Sequence, residues 1–269
     1  MPIRVVARQV WRVLFAIFAV LFALHIFVVF VLRIGLGHDV AWGAVQFFDF
    51  ESENSVPTWF SVMLLISASA ASLLAGLRVR TVDGRQTIYW YLLAGAFCFL
   101  SIDEQAQVHE LLTYDIGGSG DFYFSWVAVY APVVVLFGLA MMRFLLLLPL
   151  HIALGFVCAG VIYVTGALGF EVVESRIADR IVHAPLAHMS EAEDKSLHSD
   201  ISYQIAVTAE EALEMNGAML YLAVALSYLS HLGARVEIDF PLGGAGDGDA
   251  RMAMVNEVEP CPPRRDGLT

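Results

Sequence analysis

The sequence predicts an all-α fold: a polytopic membrane helical bundle of about six transmembrane helices. Three observations predict it. Of the 269 residues, 58% are hydrophobic and only 16% charged, where a soluble domain carries roughly 25% charged residues. Mean hydropathy is +0.69. Several apolar runs reach about 20 residues, enough to cross a hydrocarbon core of about 30 Å. A β-barrel would read instead as short segments of alternating polarity. No motif or basic patch points to nucleic acid. The cysteines form no disulfide framework, and Cys98, Cys158 and Cys261 are read as free thiols.

Arg4, Arg8 and Arg12 precede the first apolar run, so span one covers about 11–33. The run is too long for a signal-peptide core, and no small-x-small cleavage site follows it, so an uncleaved span is expected. Its lone polar residue, His25, is read as a histidine bonded to a neighbouring helix. Span two, about 57–77, opens with Pro57 in its first turn and Ser55 as N-cap. Span three, about 87–112, carries at its far end the stretch Asp103-Glu-Gln-Ala-Gln-Val-His-Glu110. Spans four and five, about 123–147 and 151–174, meet at Pro149. A long polar outer loop, 175–205, holds His183, His188 and His198, expected to be solvated. Span six is about 206–231, which closes a transmembrane domain over 1–232, and the Gly- and Pro-rich tail 233–269 is expected to be disordered. There is no internal repeat.

Basic residues fix the expected orientation. Arg4, Arg8, Arg12, Arg78, Arg80, Arg85, Arg143 and the tail arginines share one side. Only Arg33, Arg176, Arg180 and Lys195 fall on the other. Both termini are therefore expected in the cytoplasm, with the protein in the cell (inner) membrane and surrounded by its lipids. Most of the 27 acidic residues then lie on the outer side.

Four acidic groups converge there at the ends of their spans. They are Asp49/Glu51/Glu53, Asp103/Glu104/His109/Glu110, Glu171/Glu174 and Glu210/Glu211/Glu214. Ionisable groups at membrane depth are costly and usually face a cavity, a partner or an ion. So many carboxylates repel one another unless protons or a cation intervene, so a divalent metal ion of unspecified identity is the expected cofactor. The candidate metal ligands are Glu51, Glu53, Asp103, Glu104, His109, Glu110, Glu171, Glu211 and Glu214. The candidate catalytic residues are Asp103, Glu104, His109 and Glu110. No Glu-x-x-His pair, His-Glu-x-x-His or Cys-x-x-Cys is present, and Phe60 stands where an EF-hand beginning at Asp49 would need its last Glu.

Plainer explanations apply to some of these residues. Glu210 and Glu211 also suit a helix N-terminus. Glu174, Asp115 and Asp121 are expected in the solvated interface. Trp59, Tyr89, Trp90 and Trp126 suit interfacial aromatic belts.

Pro57-Thr-Trp-Phe-Ser61, Ser101-x-Asp-Glu-x4-His-Glu110 and Glu210-Glu-Ala-Leu-Glu-Met215 resemble, in order, the motifs of a family of uncharacterised bacterial multi-pass membrane proteins. That resemblance covers about 47–230, with Ser55 where the family has Asn and Ile102 where it has Leu. It implies a shared architecture and site, and no particular activity. A looser similarity, to alkaline ceramidase-type membrane hydrolases, lacks their late paired histidines.

Three functional readings follow. The first is a membrane metalloprotein that would act as a metal-dependent hydrolase of a lipid or envelope substrate, its site open to a small-molecule, lipid or ion ligand at the outer face. The second is a proton- or cation-coupled transporter or channel component. The third is a non-catalytic subunit or sensor.

Overall fold

The computed structural model describes residues 3–4, 7–38, 43–52, 54–80, 84–116, 119–182, 189–232 and 237–238. Glu53, His183, His188 and nearly all of the tail 233–269 lie outside the described residues. In chain order the helices are α1 (Ala7–Ile26), α2 (Ala44–Phe48), α3 (Val56–Arg80), α4 (Gly84–Ala106) and α5 (Val108–Ile116). They continue with α6 (Trp126–Leu145), α7 (Leu150–Val164), α8 (Glu171–Ile181), α9 (Glu191–Ser199) and α10 (Ile201–His231). Two π-helical stretches extend them: Phe27–Gly35 prolongs α1, and Thr165–Phe170 joins α7 to α8. Ile3–Arg4 pairs antiparallel with Glu237–Ile238.

Among the described residues, five helices are long and apolar enough to cross a membrane: Ala7–Gly35, Val56–Arg80, Trp126–Leu145, Leu150–Ile181 and Ile201–His231. The expected third span is not among them. Asp103, Glu104 and Gln105 close its apolar run, and the helix breaks at Gln107, whose φ is +54°. The span expected over 87–112 is thus two helices. The expected polar loop, 175–205, is also largely helical. α8 runs on to Ile181 and α9 fills 191–199, because each has an apolar side to bury: Ala178, Val182, Leu197, Tyr203 and Val207 form one cluster.

Local chemistry sets the helix starts. Ser55 accepts the Thr58 N–H at 3.2 Å, so the expected cap is present one residue before α3. Ser190 and Glu193 form a capping box at α9, and Asp200 accepts the Tyr203 N–H at 2.9 Å to open α10.

α10 runs through the middle, touching α1, α3, α7, α8 and α9. Lipid offers apolar groups no reason to leave it, so helices in a membrane associate through close packing at small residues. Gly217 of α10 sits so near α7 that an added Cβ would lie 2.7 Å from the Tyr163 backbone nitrogen. Trp90, expected in a surface belt, is instead fully buried, with Phe144, Phe156 and Tyr228 at ring distances of 5.1, 5.7 and 5.1 Å. Trp126 is buried too, while Trp59 is 61% exposed. Large apolar side chains cover the outside, among them Leu136, Leu146 and Leu150, as suits a surface solvated by acyl chains.

His25 bears out its expected role. Its Nε2 meets Thr208 Oγ1 at 2.8 Å and its Nδ1 accepts the Phe50 N–H at 3.0 Å, which ties α1 to α10 and to the chain before α3. Cys98 and Cys158 are free.

Candidate functional site

The acids of α8 and α10 meet. One carboxylate oxygen from each of Glu171, Glu174 and Glu210 lies within 4.8 Å of the others, a spacing able to hold a metal ion. Two local features bring them together. The π-helical turn Thr165–Phe170 re-phases the helix immediately before Glu171, a device found often at functional sites. Gly166 within that turn allows close approach to α10, since a Cβ there would lie 2.8 Å from the Glu210 carbonyl oxygen.

Each carboxylate has a defined setting. Glu171 accepts the Trp126 indole N–H at 3.0 Å. Glu174 and Glu210 share a hydrogen bond. Glu174 is only 4% exposed, and its Oε1 is buried without a hydrogen-bond partner. Glu174 was expected in the solvated interface. It is buried because α8 continues past it for another two turns and packs on α10. Three clustered carboxylates, one with an orphan oxygen, call for a cation or shared protons.

Further acids line α10 above and below this centre. Towards the start of α10, Glu51 accepts the Gln204 amide N–H at 3.0 Å and pairs with His198 Nε2 at 3.2 Å. His198, expected to be solvated, is therefore held by the site's own acid. Burial disfavours charge on both partners, but their mutual bond and attraction prevail: His198 is raised to about 9 and Glu51 falls below the usual carboxylate range. Next to them Asp49 receives Arg33 Nη2 at 2.5 Å, yet burial still pushes its carboxyl up. One turn deeper along α10, Glu214 bonds Tyr163 and interacts electrostatically with Glu104, while Glu211 interacts with both acids. The apolar residues Leu64, Leu65, Met215 and Met219 close the bundle beyond this level.

Asp103 and His109 form a flank. Asp103 Oδ1 accepts the His109 backbone N–H at 3.0 Å and the Tyr130 hydroxyl at 3.3 Å, and Oδ2 lies 3.1 Å from His109 Nδ1. The His109 ring rests 5.0 Å from Trp126, whose N–H reaches Glu171. Helical spacing on a straight helix would have separated Glu104 from His109. The break at Gln107 removes that constraint. Glu110 lies beside His109.

The structure thus brings Glu171 of the expected ligands into the three-carboxylate cluster, with Glu51, Glu211 and Glu214 around it and Asp103, Glu104, His109 and Glu110 along one side. Glu174 and Glu210 were missing from the expected ligand set. The spacing of Glu171 to Glu174, three apart on one helical face, was the available signal.

No curated protein and no solved structure matches the chain. Residues 13–229 match the family described as Domain of unknown function (DUF8692), a stretch that includes every acid of the centre. By that match the chain belongs to the DUF8692 family.

Proposed function

We propose that this protein is an integral membrane metalloprotein whose Glu171, Glu174 and Glu210 bind a divalent cation, and that it acts as a metal-dependent hydrolase on a lipid or envelope substrate. α4 is the sixth crossing, both termini are cytoplasmic, and the centre opens to the outer face of the cell membrane. The carrying observation is the carboxylate cluster with the orphaned Glu174 Oε1. Carboxylates alone suit Mg²⁺, Ca²⁺ or Mn²⁺. When bound, such an ion would supply Lewis-acid polarisation of a substrate oxygen and lower the pKa of a water beside it.

The chain's own groups fill the remaining roles. Trp126 orients the Glu171 carboxylate, which with Glu174 and Glu210 would hold the ion. Asp103 fixes His109 through Nδ1, so that Nε2 is the atom available for proton transfer to a leaving group. Transport would need a route beyond Glu214. The apolar layer of Leu64, Leu65, Met215 and Met219 favours a centre that opens on one side only.

Elemental analysis of detergent-purified wild type beside Glu174→Gln, Glu210→Gln and His109→Ala tests the reading. A stoichiometric metal retained in His109→Ala and lost in both glutamine variants supports it. A wild type that stays metal-free after dialysis against Mg²⁺, Ca²⁺, Mn²⁺ and Zn²⁺ overturns it, and proton or cation flux in liposomes then becomes the relevant assay.

A further inference from the structure

α6 is pinned at its two ends and loose between them. At the outer end Trp126 is buried, and its indole N–H reaches Glu171 at 3.0 Å. At the other end Met141 and Phe144 are buried, with the Phe144 ring 5.5 and 5.1 Å from those of Tyr89 and Trp90. From Ala128 to Ala140 no residue is buried, although that stretch is about 20 Å of helix at roughly 1.5 Å per residue. A helix at the rim of a bundle ordinarily exposes one side to lipid and buries the other. The inward side of α6 is Trp126, Tyr130, Val134, Phe137, Met141 and Phe144, which fall within an arc of about 80°. The middle three, Tyr130, Val134 and Phe137, are only half-buried. Among the membrane-length helices of the described residues, Trp126–Leu145 is the least buried, 17% against 22–56% for the others. Pro132 lies in the loose stretch, and a proline inside a helix removes a backbone hydrogen bond and bends it.

The slot under this arch is graded in polarity. At its outer end Trp126 meets Glu171 and the His109 ring, and the Tyr130 hydroxyl donates to Asp103 at 3.3 Å. Deeper in, the face continues as Val134 and Phe137, both apolar, and Phe99 of α4 flanks it with its ring 6.3 Å from Tyr130. The carboxylate centre is not sealed at the polar end, since Glu171, Glu210 and His109 are half-buried. A further protein helix does not fit. Packed helices need about 8–10 Å between their axes, and α6 is held to the bundle above and below the slot. One acyl chain is slender enough, and acyl chains already solvate this surface. The slot also exceeds the depth of one leaflet, half of a hydrocarbon core of about 30 Å.

We infer that the slot beneath α6 holds one acyl chain of an outer-leaflet lipid, with the polar head at Trp126, Tyr130 and His109. The lipid reaches the carboxylate centre sideways from the bilayer and not from water. Turnover of that lipid rests on the metal centre proposed above; its binding does not.

The test uses the full chain reconstituted with phosphatidylethanolamine that carries a diazirine on one acyl chain. The protein is then transferred to detergent containing EDTA, illuminated, and mapped by mass spectrometry. Label retained through the transfer should fall on Val134 and Phe137 and spare the lipid-facing Val133 and Leu136, which are 60% and 66% exposed. Val134→Trp fills the slot and should lower retained lipid about tenfold, whereas Val133→Trp should leave it unchanged. Phe137→Trp repeats the test should Val134→Trp fail to fold. Label spread evenly over both faces, no retained lipid, filled variants that retain as much as wild type, or a second copy cross-linked through Val134 would each overturn the inference. Glu174→Gln should abolish metal binding and leave lipid retention at the wild-type level, so the two readings fail separately.

Discussion

Asp103 holds His109 twice, through the backbone N–H at 3.0 Å and through Nδ1 at 3.1 Å. The carboxylate both caps α5 just after the break at Gln107 and fixes the imidazole. Its role on this geometry is positioning. Asp103→Asn keeps a good cap, whereas Asp103→Ala removes it at a cost of about 1 kcal/mol. Thermal unfolding should therefore place the alanine variant below the asparagine variant. Metal content should be near wild type in both, and turnover should fall in both as His109 loses its anionic partner.

For Glu174→Gln and Glu210→Gln the expected effects have opposite signs with and without metal. Each substitution relieves repulsion in the metal-free cluster, so metal-free variants should melt at or above metal-free wild type. Adding ion at about 100 times its Kd should stabilise wild type by about 2.7 kcal/mol. The variants should gain little. Melting curves with and without added Mn²⁺ read both effects, and equal gains in all three proteins would exclude these two glutamates as ligands.

The Glu51–His198 pair makes the seating of α9 depend on pH. His198 has a folded pKa raised to about 9 from 6.5, so its contribution is complete below 6.5 and is lost as pH rises through about 9. Glu51 is lowered from 4.5, so its contribution is complete above 4.5 and is lost as pH falls through the lower folded value. The pair is strongest between these limits. With His198 about a third exposed, screening reduces the benefit to about 1 kcal/mol. Limited proteolysis across 189–199 from pH 4 to 10 should show most protection in the middle of the range, and His198→Ala should lose the alkaline release.

Gly166 and Gly138 make a matched pair. A Cβ at Gly166 would meet the Glu210 carbonyl oxygen at 2.8 Å and Glu214 Cγ at 3.1 Å, while at Gly138 nothing lies within 4 Å. Gly166→Ala should cost about 1–3 kcal/mol by forcing α10 away from the carboxylates, and should weaken metal binding with it. Gly138→Ala should be neutral or stabilising by up to about 1 kcal/mol. Similar melting temperatures for the two would show that the approach at Gly166 is not tight.

The helical character, the start of α3 at Ser55 and Pro57, and the gathering of acids were legible in the sequence because each depends on local composition or spacing. The depth of the acids was not. Polarity after Glu174 suggested a loop, but α8 and α9 bury one side each against Tyr203 and Val207, a tertiary effect that composition does not record. The break at Gln107 was also hidden, since no glycine marks its positive φ. His198 looked solvated for a similar reason: its partner, Glu51, is far away along the chain and comes near only when α9 folds down.

The π-helical turn at Thr165–Phe170 makes the centre a matter of rotational register. Such a turn holds one residue more than the α turn it replaces, so everything after it is rotated by about 100° relative to an uninterrupted helix. Loss of a single residue there would leave α7 and α8 equally apolar and equally long. It would also swing Glu171 and Glu174 together off the line to Glu210. The three carboxylates are joined by a count of residues as much as by their chemistry, and an otherwise identical chain with one residue fewer in that turn would keep the bundle and lose the centre.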